Sequence, residues 1–334
     1  MKHKIKLGIT LGDINGIGPE IALKAAYQEE WSADSQIILL GPHNAWQEQA
    51  KSLGLPIPQL ITGQIEACNE KVLVWSPGLE YGDISWSPGS IDPRAAKLAH
   101  QAISVAAAAC LDGTLDAMVT APICKEGFDK AGINVPGHTE LLAELTGSRR
   151  FAMLLSGGGL RVLLATRHLP LKDVPAGLTQ QNIEEAIELA AEAMPWLGVE
   201  NAVIGVCALN PHAGDGGLLG SEEIETIQPA IDFERAQGIE VSDPVPADVM
   251  FHKARRGDYG IVVAMYHDQG LGPLKMMAFD EGINVTLGLP IVRTSPDHGT
   301  AFDIAGQGKA NPSSMIQAIR AADFLARRKN PWKS

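Results

Sequence analysis

Short apolar runs alternate with amphipathic helical stretches along the chain, and this alternation restricts its fold more than any other feature. Runs at 35–40 and 259–265 are apolar enough to be buried strands, whereas 92–111 and 179–194 have helical periodicity. Parallel strands need a connection about as long as a helix, so such alternation is typical of α/β proteins. The sequence therefore predicts an α/β fold with largely parallel sheets.

Length and charge limit the function. A chain of 334 residues is long enough for two domains, and its net charge of −12 argues against a nucleic-acid partner. No apolar run approaches the roughly 18 residues needed to cross a bilayer, which predicts a cytoplasmic protein without a membrane partner. The four cysteines form no C-x-x-C pair, so neither a disulfide framework nor a zinc ribbon is expected.

A glycine-rich turn at 12–20 joins the first expected strand to a helix that begins near Pro19. Its glycine spacing does not match the G-x-G-x-x-G dinucleotide fingerprint, and no Walker loop is present elsewhere. Two interpretations stay open from the residues alone: a tight turn, or a backbone that approaches an anionic ligand closely.

Three histidines share one context, because His168, His212 and His267 each follow the end of an apolar strand. The strand before His212 is expected at 202–209. Carboxyl ends of parallel strands converge on one edge of a sheet, where ligands bind. Three imidazoles there could form an open metal site. Alternatively, they are unrelated polar residues of surface loops.

Further candidates follow the third histidine strand. The segment 266–275, expected as a loop, combines His267, Asp268 and Lys275 with flexible glycines. Lys275, Asn284 and Arg293 on neighbouring loops would suit a phosphate group, because charged and amide donors match its oxygens. Earlier in the chain, His138 and Thr139 could contact a substrate, or Thr139 could cap a short helix.

Five segments, taken together and in order, resemble the 4-hydroxythreonine-4-phosphate dehydrogenase family of pyridoxal 5′-phosphate biosynthesis. They are Gly16–Glu20, Gly137–Glu140, Leu209–Gly214, Tyr266–Gly270 and Arg293–Thr300. The resemblance implies oxidation of 4-phosphooxy-L-threonine with NAD or NADP and one divalent metal ion (Zn, Co, Mg, Mn or Ni). The product, 2-amino-3-oxo-4-phosphooxybutanoate, would lose CO2 to give 3-amino-2-oxopropyl phosphate.

Residue roles follow from the same resemblance. His168, His212 and His267 fall on the metal ligands of the family, and the substrate contacts fall on His138, Thr139, Lys275, Asn284 and Arg293. Asp248 and Asp268 are candidates for tuning the metal or relaying the proton.

The implied architecture is that of isocitrate and isopropylmalate dehydrogenases, with two α/β/α domains, no Rossmann fold and the active site in the cleft. We expect a discontinuous first domain of residues 1–125 and 300–334. The second domain, residues 126–299, would carry most metal and substrate residues. The family also implies a homodimer with the site near the interface and His267 as the histidine donated across it.

One departure concerns Ile14 and Asn15, which stand where Pro-Ala is common in the family. Two rival functions also fit the residues. The first is a paralogous dehydrogenase of 4-phospho-D-threonate or D-erythronate, which would share the metal and phosphate residues. The second is a metal-dependent phosphatase built on the same histidines.

Overall fold

The computed structural model describes residues 4–63, 65, 68, 70–77, 86–199 and 203–333. The chain divides into two compact units, Met1–Arg149 with Leu289–Ser334 (unit 1) and Arg150–Gly288 (unit 2). Each unit has a sheet with packed helices, so the α/β prediction is confirmed. Within the described ranges, no helix has both the length and the apolar character that crossing a bilayer requires.

Unit 1 is built on an all-parallel sheet with the strand order β3-β4-β2-β1-β5-β12. Its strands are β1 (Ile5–Thr10), β2 (Ser35–Leu40), β3 (Gln59–Ile61), β4 (Val72–Trp75), β5 (Ala117–Thr120) and β12 (Arg293–Pro296). Its helices are α1 (Gly18–Gln28), α2 (His43–Leu53), α3 (Pro93–Leu111), α4 (Lys125–Lys130), α5 (His138–Thr146) and α11 (Ser313–Ala326).

Two groups of helices cover this sheet. Helix α1 packs with α2 and α11, whereas α3 packs with α4 and α5. Strands β1 and β2 are buried along their whole length, which explains why most of their residues are apolar. Helix α3 begins where the sequence predicts it, because Asp92 accepts the Arg94 N–H at 2.8 Å as an N-cap.

Unit 2 has a mixed sheet with the order β11-β6-β7-β10-β8-β9. Strands β7, β10, β8 and β9 run parallel, and β6 and β11 are antiparallel to their neighbours. The strands are β6 (Ala152–Gly157), β7 (Leu160–Leu164), β8 (Val203–Cys207), β9 (Val241–Val245), β10 (Tyr259–Ala264) and β11 (Ile283–Leu287). The helices are α6 (Val174–Gly177), α7 (Gln180–Trp196), α8 (Gln228–Ala236), α9 (Ala247–Arg255) and α10 (His267–Ala278).

The core of unit 2 lies between this sheet and helices α9 and α10. Val162, Val262 and Leu274 are among its fully buried members. Helices α7 and α8 pack on each other, and Thr179 and Asn182 form a reciprocal capping box at the start of α7. The expected strand at 202–209 is β8; residue 202 lies outside the described residues.

The unit boundaries differ from the expected ones at both points where the chain passes from one unit to the other. Residues 126–149 stay in unit 1 because α5 packs on α3, and residues 289–299 stay there because β12 pairs with β5. As a result, His138, Thr139 and Arg293 belong to unit 1, whereas the other candidate site residues belong to unit 2.

The expected loop at 266–275 is wrong, because this segment forms most of α10. Gly270 allows the helix to lie directly on the sheet, since a Cβ there would come within 2.7 Å of the Val162 side chain. The three phosphate-binding candidates are not on loops either: Lys275 is on α10, Asn284 on β11 and Arg293 on β12.

The glycine-rich turn after β1 serves the packing of the chain. Gly12 has φ +68°, and a Cβ on it would lie 2.4 Å from the Pro122 carbonyl oxygen. Asn15 accepts the Ser87 N–H at 2.9 Å and donates to the Ser90 carbonyl at 3.1 Å. The departure from Pro-Ala therefore fastens this turn to the segment before α3.

Helix α8 carries a buried carboxylate that makes no hydrogen bond. Glu234 is 0% exposed, and neither of its carboxylate oxygens has a hydrogen-bond partner. Burial raises the pKa of Glu234 to about 7, and the nearby Glu188 and Glu184 act in the same direction, whereas Arg150 opposes them.

We expect Glu234→Gln to stabilise the protein at pH 8 by about 1–2 kcal/mol. A pKa raised on folding means that the native state binds more protons than the unfolded one, so wild-type stability falls as pH rises from about 4.5 to 7. Thermal unfolding should give a higher Tm for the variant at pH 8 and a shrinking difference towards pH 4.5. The exposed Glu225→Gln is the control; an equal gain in both variants would refute the assignment.

Candidate functional site

The three candidate metal histidines follow neighbouring strands of unit 2. Strands β7, β10 and β8 are adjacent and parallel, and the chain leaving their carboxyl ends reaches His168, His267 and His212 respectively. This order gives the physical basis for the sequence prediction, because it places all three segments at the same edge of one sheet.

Two of these histidines come together. The rings of His168 and His267 have centroids 5.5 Å apart at an interplanar angle of 42°. His267 Nδ1 lies 2.7 Å from Asp268 Oδ1, so the carboxylate fixes the ring and leaves Nε2 as the nitrogen suited to a ligand. Asp268 is thus placed to orient His267, a role compatible with the predicted tuning of the metal.

His212 does not join that pair. Among the residues that the structure describes, no group of three or more His, Cys, Asp or Glu side chains could hold a metal ion. His212 is exposed on a turn of Pro211–Gly217, where it has φ 55° and ψ 28°. Ala213 and Asp215 are left-handed as well, and such non-glycine residues each cost on the order of 1–3 kcal/mol.

The donor chemistry nevertheless fits a transition-metal dication. Imidazole suits Zn, Co and Ni, and the chain supplies two converging rings with a carboxylate behind one of them. The third histidine of the predicted set would have to come closer than it lies in this chain. Donation of a histidine across a subunit interface, and His267 as the donor, stay predictions.

Buried hydrogen bonds tie the three strand ends to one another. Gln269 accepts the Met265 N–H at 2.7 Å and donates to the Ala208 carbonyl at 2.6 Å, which joins the end of β10 to the end of β8. Thr166 Oγ1 donates to the Met265 carbonyl at 2.6 Å and joins β7 to β10. These hydrogen bonds therefore fix the backbone from which each histidine-bearing segment begins.

Unit 1 contributes a buried cation. Arg293 on β12 is 2% exposed, and its Nε and Nη2 donate to Thr120 Oγ1 at 3.1 and 2.7 Å. Burial lowers the pKa of Arg293 to about 9, and nearby Glu140 offsets part of this effect. A dehydrated guanidinium gains strongly from an anion with several oxygens, so Arg293 suits a phosphate or carboxylate.

His138 stands at the start of α5 in the same unit. Its Nε2 is buried without a hydrogen-bond partner. Burial lowers its pKa well below the ordinary value, and the positive charges of Arg293 and Lys125 lower it further. His138 is therefore a neutral imidazole at physiological pH. Thr139 is buried beside it; the alternative role as helix cap is wrong, because Gly137 is the N-cap residue.

The remaining candidates lie in unit 2. Asn284 on β11 is 9% exposed, and its Oδ1 is a buried acceptor without a hydrogen-bond partner. Lys275 lies on α10 with Nζ 5.8 Å from the centroid of the Phe279 ring. Asp248 is exposed at the start of α9. Within the described part of the chain, no contact joins Asp248 to the histidine pair, so its role stays a prediction.

Sequence analysis missed the residues that support the site rather than those that form it. Thr120 and Thr166 end or follow strands and have no distinguishing neighbours in the sequence. Lys125 was equally inconspicuous, although it begins α4, the helix that follows β5. A polar residue just past a buried strand was the only signal available for them.

Comparison with known proteins gives a consistent result. Residues 33–322 match the family model "Pyridoxal phosphate biosynthetic protein PdxA". The chain is 43% identical to 4-hydroxythreonine-4-phosphate dehydrogenase of Geobacter metallireducens over 97% of this chain and 96% of that protein. It is 39% identical to D-threonate 4-phosphate dehydrogenase of Cupriavidus necator, with 97% and 98% coverage. The crystal structure of 4-hydroxythreonine-4-phosphate dehydrogenase from Klebsiella pneumoniae superposes with a TM-score of 0.87 at 38% identity, covering 97% and 99% of the two chains.

We expect Arg293→Met to weaken binding of inorganic phosphate at least about tenfold, because it removes charge-assisted hydrogen bonds while keeping side-chain volume. Isothermal titration with phosphate measures the effect. Arg149→Met is the matched control, since Arg149 is an exposed arginine of the same unit. Unchanged affinity in Arg293→Met, with the fold intact by circular dichroism, would exclude an anion site at this residue.

Proposed function

The chain belongs to the PdxA family of pyridoxal phosphate biosynthetic proteins, and on that premise we propose that it oxidises 4-phosphooxy-L-threonine with NAD or NADP. The C3 hydroxyl becomes a ketone in 2-amino-3-oxo-4-phosphooxybutanoate, which loses CO2 to give 3-amino-2-oxopropyl phosphate. A cytoplasmic location is part of the same proposal.

One observation carries the proposal furthest. Arg293 is a buried guanidinium beside a neutral His138, in a chain whose full-length relatives include dehydrogenases of phosphorylated four-carbon acids. A phosphorylated acid needs a fixed cation for its anionic groups, and oxidation of its hydroxyl needs a group that can accept a proton. Both requirements are met within unit 1.

The side chains of the two units take different roles in this proposal. In unit 1, Arg293 would bind the phosphate. In unit 2, Lys275 and the amide of Asn284 would contact the substrate and orient the carbon that loses hydride. His138 would accept a hydrogen bond through its unpartnered Nε2, because its lowered pKa keeps that nitrogen unprotonated. Thr139 would support His138 from the same first turn of α5.

His168, His212 and His267 would hold the divalent cation (Zn, Co, Mg, Mn or Ni), with Asp268 orienting His267. Such a cation acts as a Lewis acid, which lowers the pKa of the substrate hydroxyl and stabilises negative charge that develops on oxygen.

We further propose that two copies of the chain pair through unit 2. Large apolar side chains are exposed close in sequence to each metal candidate: Leu171 (70%), Leu218 (83%), Met276 (81%) and Phe279 (77%). Exposed apolar surface of this kind marks interaction sites. Such a pair could complete the histidine set, since the described part of one chain brings two of its three rings together. Light scattering should give twice the chain mass; a monomer would refute the pairing.

A second substrate deserves a direct test because the Cupriavidus necator relative acts, by its name, on D-threonate 4-phosphate. The two acids differ at the α-carbon, which carries an amino group in one and a hydroxyl in the other. We expect reduction of NAD or NADP with 4-phosphooxy-L-threonine at the higher kcat/KM, loss of activity with a chelator and recovery on adding metal. A higher kcat/KM with 4-phospho-D-threonate or D-erythronate would reassign the substrate. Phosphate release without nucleotide would establish the phosphatase alternative.

We expect His212→Ala to abolish metal-dependent oxidation, lowering kcat at least about a hundredfold, because one of three imidazole ligands is lost. Stopped or continuous assays of nucleotide reduction at saturating metal measure this. His252→Ala serves as control, since His252 is an exposed histidine of α9 in the same unit. Near-normal turnover by His212→Ala would remove His212 from the metal site.

A further inference from the structure

The turn that carries His212 is held in a conformation that its sequence alone does not favour. His212, Ala213 and Asp215 all have φ between 45° and 55°. Residues with a Cβ rarely adopt this left-handed region, and consecutive ones do so only where the surroundings impose it. Something outside the turn must therefore determine its shape.

The buried carboxylate of Glu223 lies next to this turn. Glu223 begins the π-helical turn Glu223–Ile227 and is 4% exposed. Its Oε1 accepts the N–H groups of Leu209 and Asn210 at 2.8 and 2.7 Å, and its Oε2 accepts the Asn210 side-chain amide at 2.9 Å. One carboxylate thus fixes the two residues that directly precede the His212 turn.

The turn also closes over that carboxylate. A Cβ on Gly214 would lie 2.7 Å from Glu223 Oε2, so only glycine allows the left-handed backbone to approach this oxygen. The Leu219 N–H donates to the Gly214 carbonyl at 3.0 Å and closes the far side of the turn. Glu223 consequently contacts the turn both before and after His212.

We propose that Glu223 is a positioning residue, which holds the left-handed turn and thereby sets how His212 engages a divalent cation. This inference rests on the proposed function, because it assumes that His212 is a metal ligand. Glu223 does not need to touch the cation. It acts through the backbone, as outer groups behind a metal ligand do elsewhere.

The test compares three variants of the full-length protein in Zn²⁺ affinity, measured by competition with a chromophoric chelator, and in Tm. Glu223→Ala should raise the Zn²⁺ Kd at least about tenfold. Glu223→Gln keeps a carbonyl oxygen for the two backbone N–H groups and should stay within about threefold of wild type. Glu225→Ala alters an exposed carboxylate in the same π-helical turn and should bind Zn²⁺ like wild type.

Steady-state kinetics separate positioning from general damage. Glu223→Ala should lower kcat at subsaturating Zn²⁺, whereas KM for 4-phosphooxy-L-threonine should change less than about threefold, because the phosphate ligands are distant in sequence and unaltered. If Glu223→Ala does not fold, Gly214→Ala tests the same contact and should likewise weaken Zn²⁺ binding.

The outcomes distinguish this inference from the function on which it rests. Wild-type Zn²⁺ affinity in Glu223→Ala, or in Gly214→Ala where the former does not fold, overturns the positioning role even if the enzyme oxidises its substrate. Weakened Zn²⁺ binding in a protein that oxidises none of the phosphorylated acids supports the positioning role and overturns the proposed function. A wild-type protein that binds neither Zn²⁺ nor any other cation of the proposed set (Co²⁺, Mg²⁺, Mn²⁺ or Ni²⁺) overturns both.

Discussion

The hydrogen bonds of Gln269 fix the edge of the unit 2 sheet from which the three candidate metal histidines extend. This buried amide accepts a hydrogen bond from the Met265 N–H and donates one to the Ala208 carbonyl. The ends of β10 and β8 therefore cannot move apart without leaving polar groups unpaired. Thr166 extends the same linkage to β7. Parallel pairing of the three strands sets the direction of these ends, and the side-chain bonds set their spacing.

The candidate site residues of unit 1 depend on the burial of a charged side chain, not on strand ends that meet at one edge. Arg293 is withdrawn from water and bonded to the hydroxyl of Thr120, and its charge helps to keep His138 neutral. The same buried charge lowers the pKa of His138, and it would favour an anion nearby, as the proposed function requires. The hydrophobic surroundings, supplied by ordinary helix and strand packing, are what make both effects strong.

The strained backbone of the His212 turn is stabilised by a side chain that lies close to it in the sequence. The left-handed turn of His212 would be unfavourable in an isolated peptide, and Glu223 compensates it with hydrogen bonds to the adjoining backbone. Asn15 has a comparable role in unit 1, where it joins the turn after β1 to the segment before α3. In both cases a buried polar side chain replaces the regular hydrogen bonding that a loop lacks.

Much of this protein was determined by its sequence. Strands such as β2 and helices such as α3 and α7 follow from apolar periodicity and capping residues, because those signals act between near neighbours. The candidate site residues could also be predicted from the sequence, and the resemblance over the whole chain identified the family. The tertiary structure decided the rest. It placed α10 directly on the sheet through the fit of Gly270 against Val162, and it assigned Arg293 to unit 1 through the pairing of β12 with β5. It also brought His168 to His267 while keeping His212 on its own turn. These outcomes depend on contacts between residues distant in the chain, and a linear pattern does not contain the packing geometry that selects among them.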